Sequence, residues 1–423
     1  MRYPAYKPTG LAWLPEVPRE WETVSFKSLF RFGKGLMITK DDLTKDGCSV
    51  ISYGQIHAKT NSGFHLDKSL LRFVPEKLTA EGSLLHEGDI AFADTSEDIE
   101  GCGNCVLIDT QDRIYAGYHT LVAKAIKPDC SRFLAFLFQT PAWREQIYRK
   151  VNGVKVYSVT QKVFSGNKVC LPPPVEQEAI VAYLDEKTAK IDRLIELKER
   201  EIKLLNEKKQ AVISKVVTRG LDPNAELVDS GDNYIGRIPI NWRTNQVRHM
   251  FEVSRGRVIA ASEVGSRGYP VYSSQTKNEG LMGYISTWDY SGEKLTWTTD
   301  GAYAGSVFLR KGKYNCTNVC GILSPRNSDN DIRFLFYALR YIAVFHKRYD
   351  TNGFKIMSNE MAAIKIPIPP IGEQVKIADK LDDVEKSTYK AIAAVTRQIG
   401  LLKEYRTRLI SDAVTGRIDL RKL

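Results

Sequence analysis

Residues Leu171 to Asp222 read LPPPVEQEAIVAYLDEKTAKIDRLIELKEREIKLLNEKKQAVISKVVTRGLD, and the chain returns to this pattern once. Residues Ile368 to Asp419 read IPPIGEQVKIADKLDDVEKSTYKAIAAVTRQIGLLKEYRTRLISDAVTGRID and align on the first copy without a gap, at a constant shift of 197 positions. Pro172, Pro173, Glu176 and Gln177 recur as Pro369, Pro370, Glu373 and Gln374; Ile180, Leu184 and Asp185 recur as Ile377, Leu381 and Asp382. About a third of the positions are identical, which chance does not produce over such a length.

Each copy has the pattern of a long helix. Between about Glu176 and Thr218 there is no Pro or Gly, the prolines before it are a start signal, and Gly220 is a stop. Some 40 residues at ~1.5 Å each make a rod of roughly 60 Å. Its apolar positions keep a heptad: Val181, Leu184, Ile191, Ile195, Ile202, Leu205, Val212 and Val216. The second copy answers with Ala378, Leu381, Ile392, Val395, Ile399, Leu402, Leu409 and Ala413. A 4–3 spacing sustained this long asks for a partner helix, and the two rods of this chain are the obvious pair, lying antiparallel. Thr188, Lys198, Lys209 and Arg406 interrupt the seam, as residues that fix register do.

What precedes each helix repeats more loosely. Gly10, Leu14, Pro18 and Trp21 match Gly231, Ile235, Pro239 and Trp242, and Phe30 and Gly35 match Phe251 and Gly256 at the same shift. Asn152, Gly153 and Lys155 match Asn352, Gly353 and Lys355. The chain therefore divides into a globule over 1–170, a long helix over 171–222, a second globule over 223–367 and a second long helix over 368–423. Short β-branched runs such as Cys48–Tyr53, Gly88–Ala93, Cys105–Ile108, Lys294–Thr298 and Ser306–Leu309 predict strands. Arg132–Phe138, Ala142–Arg149 and Ile332–His346 predict helices, so the fold class is α+β with two irregular mixed globules.

The 423 residues exceed one compact core. No stretch approaches a membrane span, and the first residues have no apolar core of a signal peptide. Seven scattered cysteines, an odd number, fit reduced thiols in the cytoplasm. The net charge of +11 suits a nucleic-acid partner but is spread thinly: residues 1–170 carry 22 basic and 19 acidic side chains. Any DNA contact must be a surface built by folding.

Motifs for chemistry are missing. The cluster Phe32-Gly33-Lys34-Gly35 is too short for a methyltransferase cofactor loop, there is no Asn-Pro-Pro or Asp-Pro-Pro, and no phosphate-binding G-x-x-x-x-G-K-[ST]. Cys102, Cys105, Cys316 and Cys320 read as small buried residues, without an ordered ligand quartet for zinc. His57, His65, His86 and His119 read as solvated or core histidines; no catalytic residue or metal ligand is expected.

The opening G-x-x-W-[LI]-x-x-[IV]-P-x-x-W, the Pro-rich stop and the E-Q-x-x-I-x-x-x-L-D helix, all present twice, resemble the specificity subunits of type I restriction–modification systems over essentially the whole chain. Small departures are Pro15 against Gly236 and Trp13 against Tyr234. The resemblance implies a non-catalytic cytoplasmic subunit of a phage-defence complex. Its two target-recognition domains each read half of a split sequence in double-stranded DNA. Its helices would set the gap between the halves and dock two methyltransferase subunits, which bind S-adenosylmethionine, with ATP- and magnesium-dependent restriction subunits joining them. The chain itself would bind no cofactor. The competing reading is a helix-linked scaffold that binds only proteins.

For DNA contact, the expected residues are polar ones on loops in corresponding places. Gln55, His57 and Lys59 follow one strand, and Ser274, Gln275, Lys277 and Asn278 follow another. Amides pair with adenine and basic groups with guanine. Asn152, Lys155, Tyr157 and Ser158 form a further polar loop, echoed by Asn352 and Lys355. Lys34, Arg255 and Arg257 are expected at phosphates.

Overall fold

The computed structural model describes residues 2–153, 155–351 and 353–421. They form two compact units: Met1–Leu197 with Arg397–Leu423, and Lys198–Thr396. The unit boundaries fall inside the long helices, so each unit owns the first half of its own helix and the last half of the other.

In unit 1 the strands that matter are β1 (Phe30–Lys34), β2 (Cys48–Ile51), β3 (Arg72–Val74), β4 (Leu84–Leu85), β5 (Ile90–Ala93), β6 (Thr95–Ser96), β7 (Cys105–Leu107), β8 (Ile114–Ala116) and β9 (Thr120–Ala125). An antiparallel sheet runs β7-β5-β9-β1, and a mixed one runs β3-β2-β8-β4 with β2 and β8 parallel. Helix α1 (Ser131–Phe138) is buried along nearly its whole length, and the short strand β10 (Tyr157–Ser158) pairs with β6. Phe26 sits at the centre of the core, with Phe30, Phe92, Phe138, Trp143 and Phe164 around it at ring distances of 4.9–6.5 Å. Tilted and stacked packing of this kind adds to the burial of the rings.

Helix α2 spans Pro174–Arg219. Proline at its first turn loses no hydrogen bond, and Gly220 beyond its end takes a left-handed φ of 73°.

Unit 2 repeats the plan with β11 (Phe251–Arg255), β12 (Tyr269–Tyr272), β13 (Leu281–Ile285), β14 (Lys294–Thr298), β15 (Val307–Arg310), β16 (Asn315–Cys316) and β17 (Cys320–Pro325). Its main sheet is β11-β17-β14-β15, and β12 again pairs in parallel with the short strand before the central one, β16. Helix α3 (Ile332–Ile342), the hairpin β18 (Arg348–Asp350) with β19 (Gly353–Lys355), and helix α4 (Ile371–Val414) complete it. A Cβ on Gly321 would stand 2.1 Å from the Trp297 ring, whose Nε1 donates to the Ile356 carbonyl at 3.0 Å.

The repeated residues hold each globule on its helix. Trp21 Nε1 donates to the Glu176 carboxylate and Trp242 Nε1 to that of Glu373, each at 3.0 Å. Gln177 and Gln374 turn back to cap the Pro172 and Pro369 carbonyls at 2.8 and 2.9 Å. Arg132 donates to Asp185 at 2.9 Å and Arg333 to Asp382 at 2.8 Å. The Glu, Gln and Asp of E-Q-x-x-I-x-x-x-L-D are thus docking groups.

Within each unit the helix halves lie antiparallel. Ile213, Val216 and Val217 from the end of α2 share one core with Ile377, Ala378 and Leu381 from the start of α4. In unit 1, Gly416 just past the end of α4 packs on Pro18 and Trp21, beside the start of α2, and Arg406 pairs with Asp192 at 2.8 Å. The polar seam position expected at Arg406 is therefore matched by a charge. Among the described residues no helix is long and apolar enough to cross a membrane.

Candidate nucleic-acid interface

The two units share one backbone frame where their main sheets end. In unit 1 the amide of Asp94 donates to the His119 carbonyl (3.1 Å), that of Gly35 to Thr120 (3.2 Å), and that of Val159 to Asp94 (2.7 Å). In unit 2 the amide of Thr299 donates to Val319 (3.1 Å), that of Gly256 to Cys320 (3.0 Å), and that of Ile356 to Thr299 (2.9 Å). Gly35 and Gly256 are required by close approach: a Cβ would lie 1.8 Å from the Gly117 carbonyl oxygen in one and 2.2 Å from that of Cys316 in the other.

This frame brings different side chains to equal places. Lys34 answers Arg255, His119 answers Val319, and the β-rung Ser158–Thr95 answers Lys355–Asp300. In unit 1, Lys34, Asp94, His119 and Ser158 line one depression. In unit 2, Arg255 donates to Thr299 Oγ1 at 3.3 Å, and Asp300 lies 3.9 Å from Arg255 and 3.8 Å from Lys355. Lys355 also pairs with Asp350 at 3.2 Å.

The remaining residues named from sequence sit less simply. Gln55 and Gln275 both follow equivalent strands, β2 and β12, but Gln55 Oε1 accepts from the Ser52 amide at 3.2 Å and Gln275 donates to the Leu281 carbonyl. The segments differ because unit 1 takes a helical turn, Tyr53–Ile56, while unit 2 turns through Asn278, left-handed at φ 48°, straight into β13. Both nitrogens of His57 are engaged, Nε2 with the Thr95 carbonyl (2.8 Å) and Nδ1 with Asn104 (3.0 Å), which makes it an internal pin. Lys59, Lys155, Lys277 and Arg257 are exposed and Ser274 is half-buried. Arg257 is held by Asp289 at 2.9 Å and Glu263 at 3.6 Å; the hydrogen bond to Asp289 is the largest influence strengthening its hold on its proton.

The N-G-x-K frames do not superpose. The Asn152–Ser158 bridge holds the place of the Arg348–Lys355 rung, so Lys355 corresponds to Ser158 and not to Lys155. Asn352 lies outside the described residues. Tyr157 pairs with Ser96 on the same ribbon. Sequence reasoning left Asp94, Thr95, Thr299 and Asp300 unnamed and read His119 only as a solvated or core histidine, because GYHT and TNVC, which lead into the central strands, share no letter in register. Cys102 and Cys105 lie buried, and burial pushes both thiols up to about 11.

Fold and site together define a tandem of two modules, each seated on a long helix and each presenting its own side chains on a common frame. The model of the type I restriction modification DNA specificity domain matches residues 18–207 and again residues 239–399. The chain belongs to this family and is a type I restriction–modification specificity subunit with DNA-recognition domains.

A Mycoplasma pneumoniae protein provisionally named as a type I specificity subunit N-terminus is 42% identical over 142 residues, 33% of this chain and 76% of that one. The specificity subunit of the type I restriction enzyme MpnII, from the same organism, is 36% identical over 167 residues, 39% of this chain and 50% of its own length. Among solved structures, a chain from work on complex assembly and conformational transition of the type I R-M system has a TM-score of 0.71 at 17% identity. That match covers 95% of this chain and 99% of the other. The HsdS subunit from Thermoanaerobacter tengcongensis has a TM-score of 0.51, also at 17% identity, covering 95% and 98%.

Proposed function

We propose that the chain reads a split sequence in double-stranded DNA, one half through each unit. The observation that carries this is the shared frame with exchanged side chains, Lys34, His119 and Ser158 against Arg255, Val319 and Lys355. A constant frame with variable polar groups suits base reading, whereas binding one constant protein would keep the groups alike. Lys34 and Arg255 hold phosphates, with Lys59, Lys155, Lys277 and Arg257 around them as longer-range positive charge. Gln55, His57, Asn152, Tyr157, Ser274, Gln275 and Asn278 belong to the loops that shape this face.

The helices set the unread gap and dock the partners. Leu194, Leu197 and Leu204 on α2 and Tyr389, Leu401 and Tyr405 on α4 are large apolar groups left exposed, which suits two methyltransferase subunits seated along the rod, with restriction subunits joining through them. Catalysis belongs to those partners: S-adenosylmethionine to the methyltransferase subunits, ATP and magnesium to the restriction subunits. This chain holds no cofactor and works in the cytoplasm.

The test is binding of the assembled complex to duplex DNA across a salt series. Phosphate contacts predict a linear fall of log affinity with log salt. Lys34→Ala and Arg255→Ala should each weaken binding to all sequences and reduce that slope by about one. Binding indifferent to salt would favour the protein-only scaffold.

A further inference from the structure

We propose that His119 is a base-reading residue of unit 1, taking a base that carries an exocyclic amino group in the major groove. The inference rests on the proposed reading of DNA by this face. His119 holds a left-handed φ of 54°, a backbone state that costs any side-chain-bearing residue. Its side chain is nevertheless 55% exposed, so burial does not compensate that strain.

The ring is held rather than loose. Nδ1 stands 3.2 Å from Asp94 Oδ1, and the ring meets Tyr53 edge-on at 5.3 Å and Tyr118 at 6.0 Å. The Asp94 carboxylate accepts a hydrogen bond from Nδ1–H, which in the neutral ring leaves Nε2 as the acceptor. Among the described residues Nε2 has no hydrogen-bond partner. The contrast with His57, whose two nitrogens are both engaged, separates a pin from a probe.

Position completes the case. His119 lines two adjoining depressions, one shared with Lys34 and Ser158, the other with Tyr53 and His57. An imidazole acceptor held here pairs with the N6 amine of adenine or the N4 amine of cytosine and meets the guanine O6 or thymine O4 acceptor with repulsion. The same frame position in unit 2 carries Val319, which offers only methyl groups. The two units therefore differ where two half-sites would have to be told apart.

The experiment is methylation mapping of the assembled complex carrying His119→Gly, beside the parent and His119→Asn. Glycine is the residue best suited to the left-handed state, so H119G should melt no lower than the parent. The expected result is loss of discrimination, by about tenfold or more, at one base pair of the half-site read by unit 1. The other half-site should be unchanged, and H119N, which tolerates the backbone and keeps an acceptor, should recover part of the discrimination. An unchanged pattern in a normally melting H119G would overturn the proposal, and so would uniform weakening at every sequence or relaxation confined to the half-site read by unit 2. A parent with no split target would instead overturn the reading of function on which it rests.

Discussion

Glu176 is a carboxylate only 6% exposed, and its partners explain why it recurs. Trp21 donates to it at 3.0 Å, and the Tyr3 hydroxyl donates as well; burial and then this bond push the Tyr3 pKa well above the ordinary phenol range. A buried acceptor stripped of a donor costs about 1–3 kcal/mol. Trp21→Phe should therefore destabilise unit 1 by about that much, read as a lower denaturant midpoint. Trp242→Phe should cost less, because Glu373 is only half-buried and retains access to water. A parent-like midpoint for W21F would reduce the latch to simple ring packing. The letters of this latch were visible in the sequence as an opening and a helix motif; that they bond to each other, 155 residues apart in unit 1, was not.

Helices were the most legible elements, for reasons local to the chain. The Pro-rich start, the unbroken run to Arg219 and the Gly220 stop are all short-range signals, and the helix begins at Pro174, two residues earlier than expected. Strands were less so. Lys294–Thr298 was found at its expected bounds, but β8, three residues long, exists because Ile114 pairs with Ser49 across 65 positions of chain. The lengths of α2 and α4 carry a prediction. One heptad inserted between Arg200 and Glu201, matched by one near Arg397, preserves both apolar stripes and falls near the unit boundary in each helix. It adds about 10 Å at ~1.5 Å per residue, or roughly three base pairs. Methylation mapping should then return the same half-sites with a longer gap. The added turn of about 100° around the duplex costs affinity even where the spacing fits. Retained activity with an unaltered gap would leave the helices as docking surfaces only.

At the scale of the molecule, duplication was legible and the shared frame of the two units only partly so. Lys34, Arg255, Ser158 and Lys355 were named from sequence as DNA contacts and stand on the frame; His119 was read only as a solvated or core histidine and Asp300 was not named, because the loops that carry them align only through backbone hydrogen bonds. The central claim is that each unit reads its own half of the target. Its most direct measurement is genome-wide methylation mapping of a hybrid whose residues 1–170 come from a relative with a different target, assembled with the same partner subunits. One half-site should change to the relative's while the other half and the gap stay as they were. A change in both halves together would contradict it.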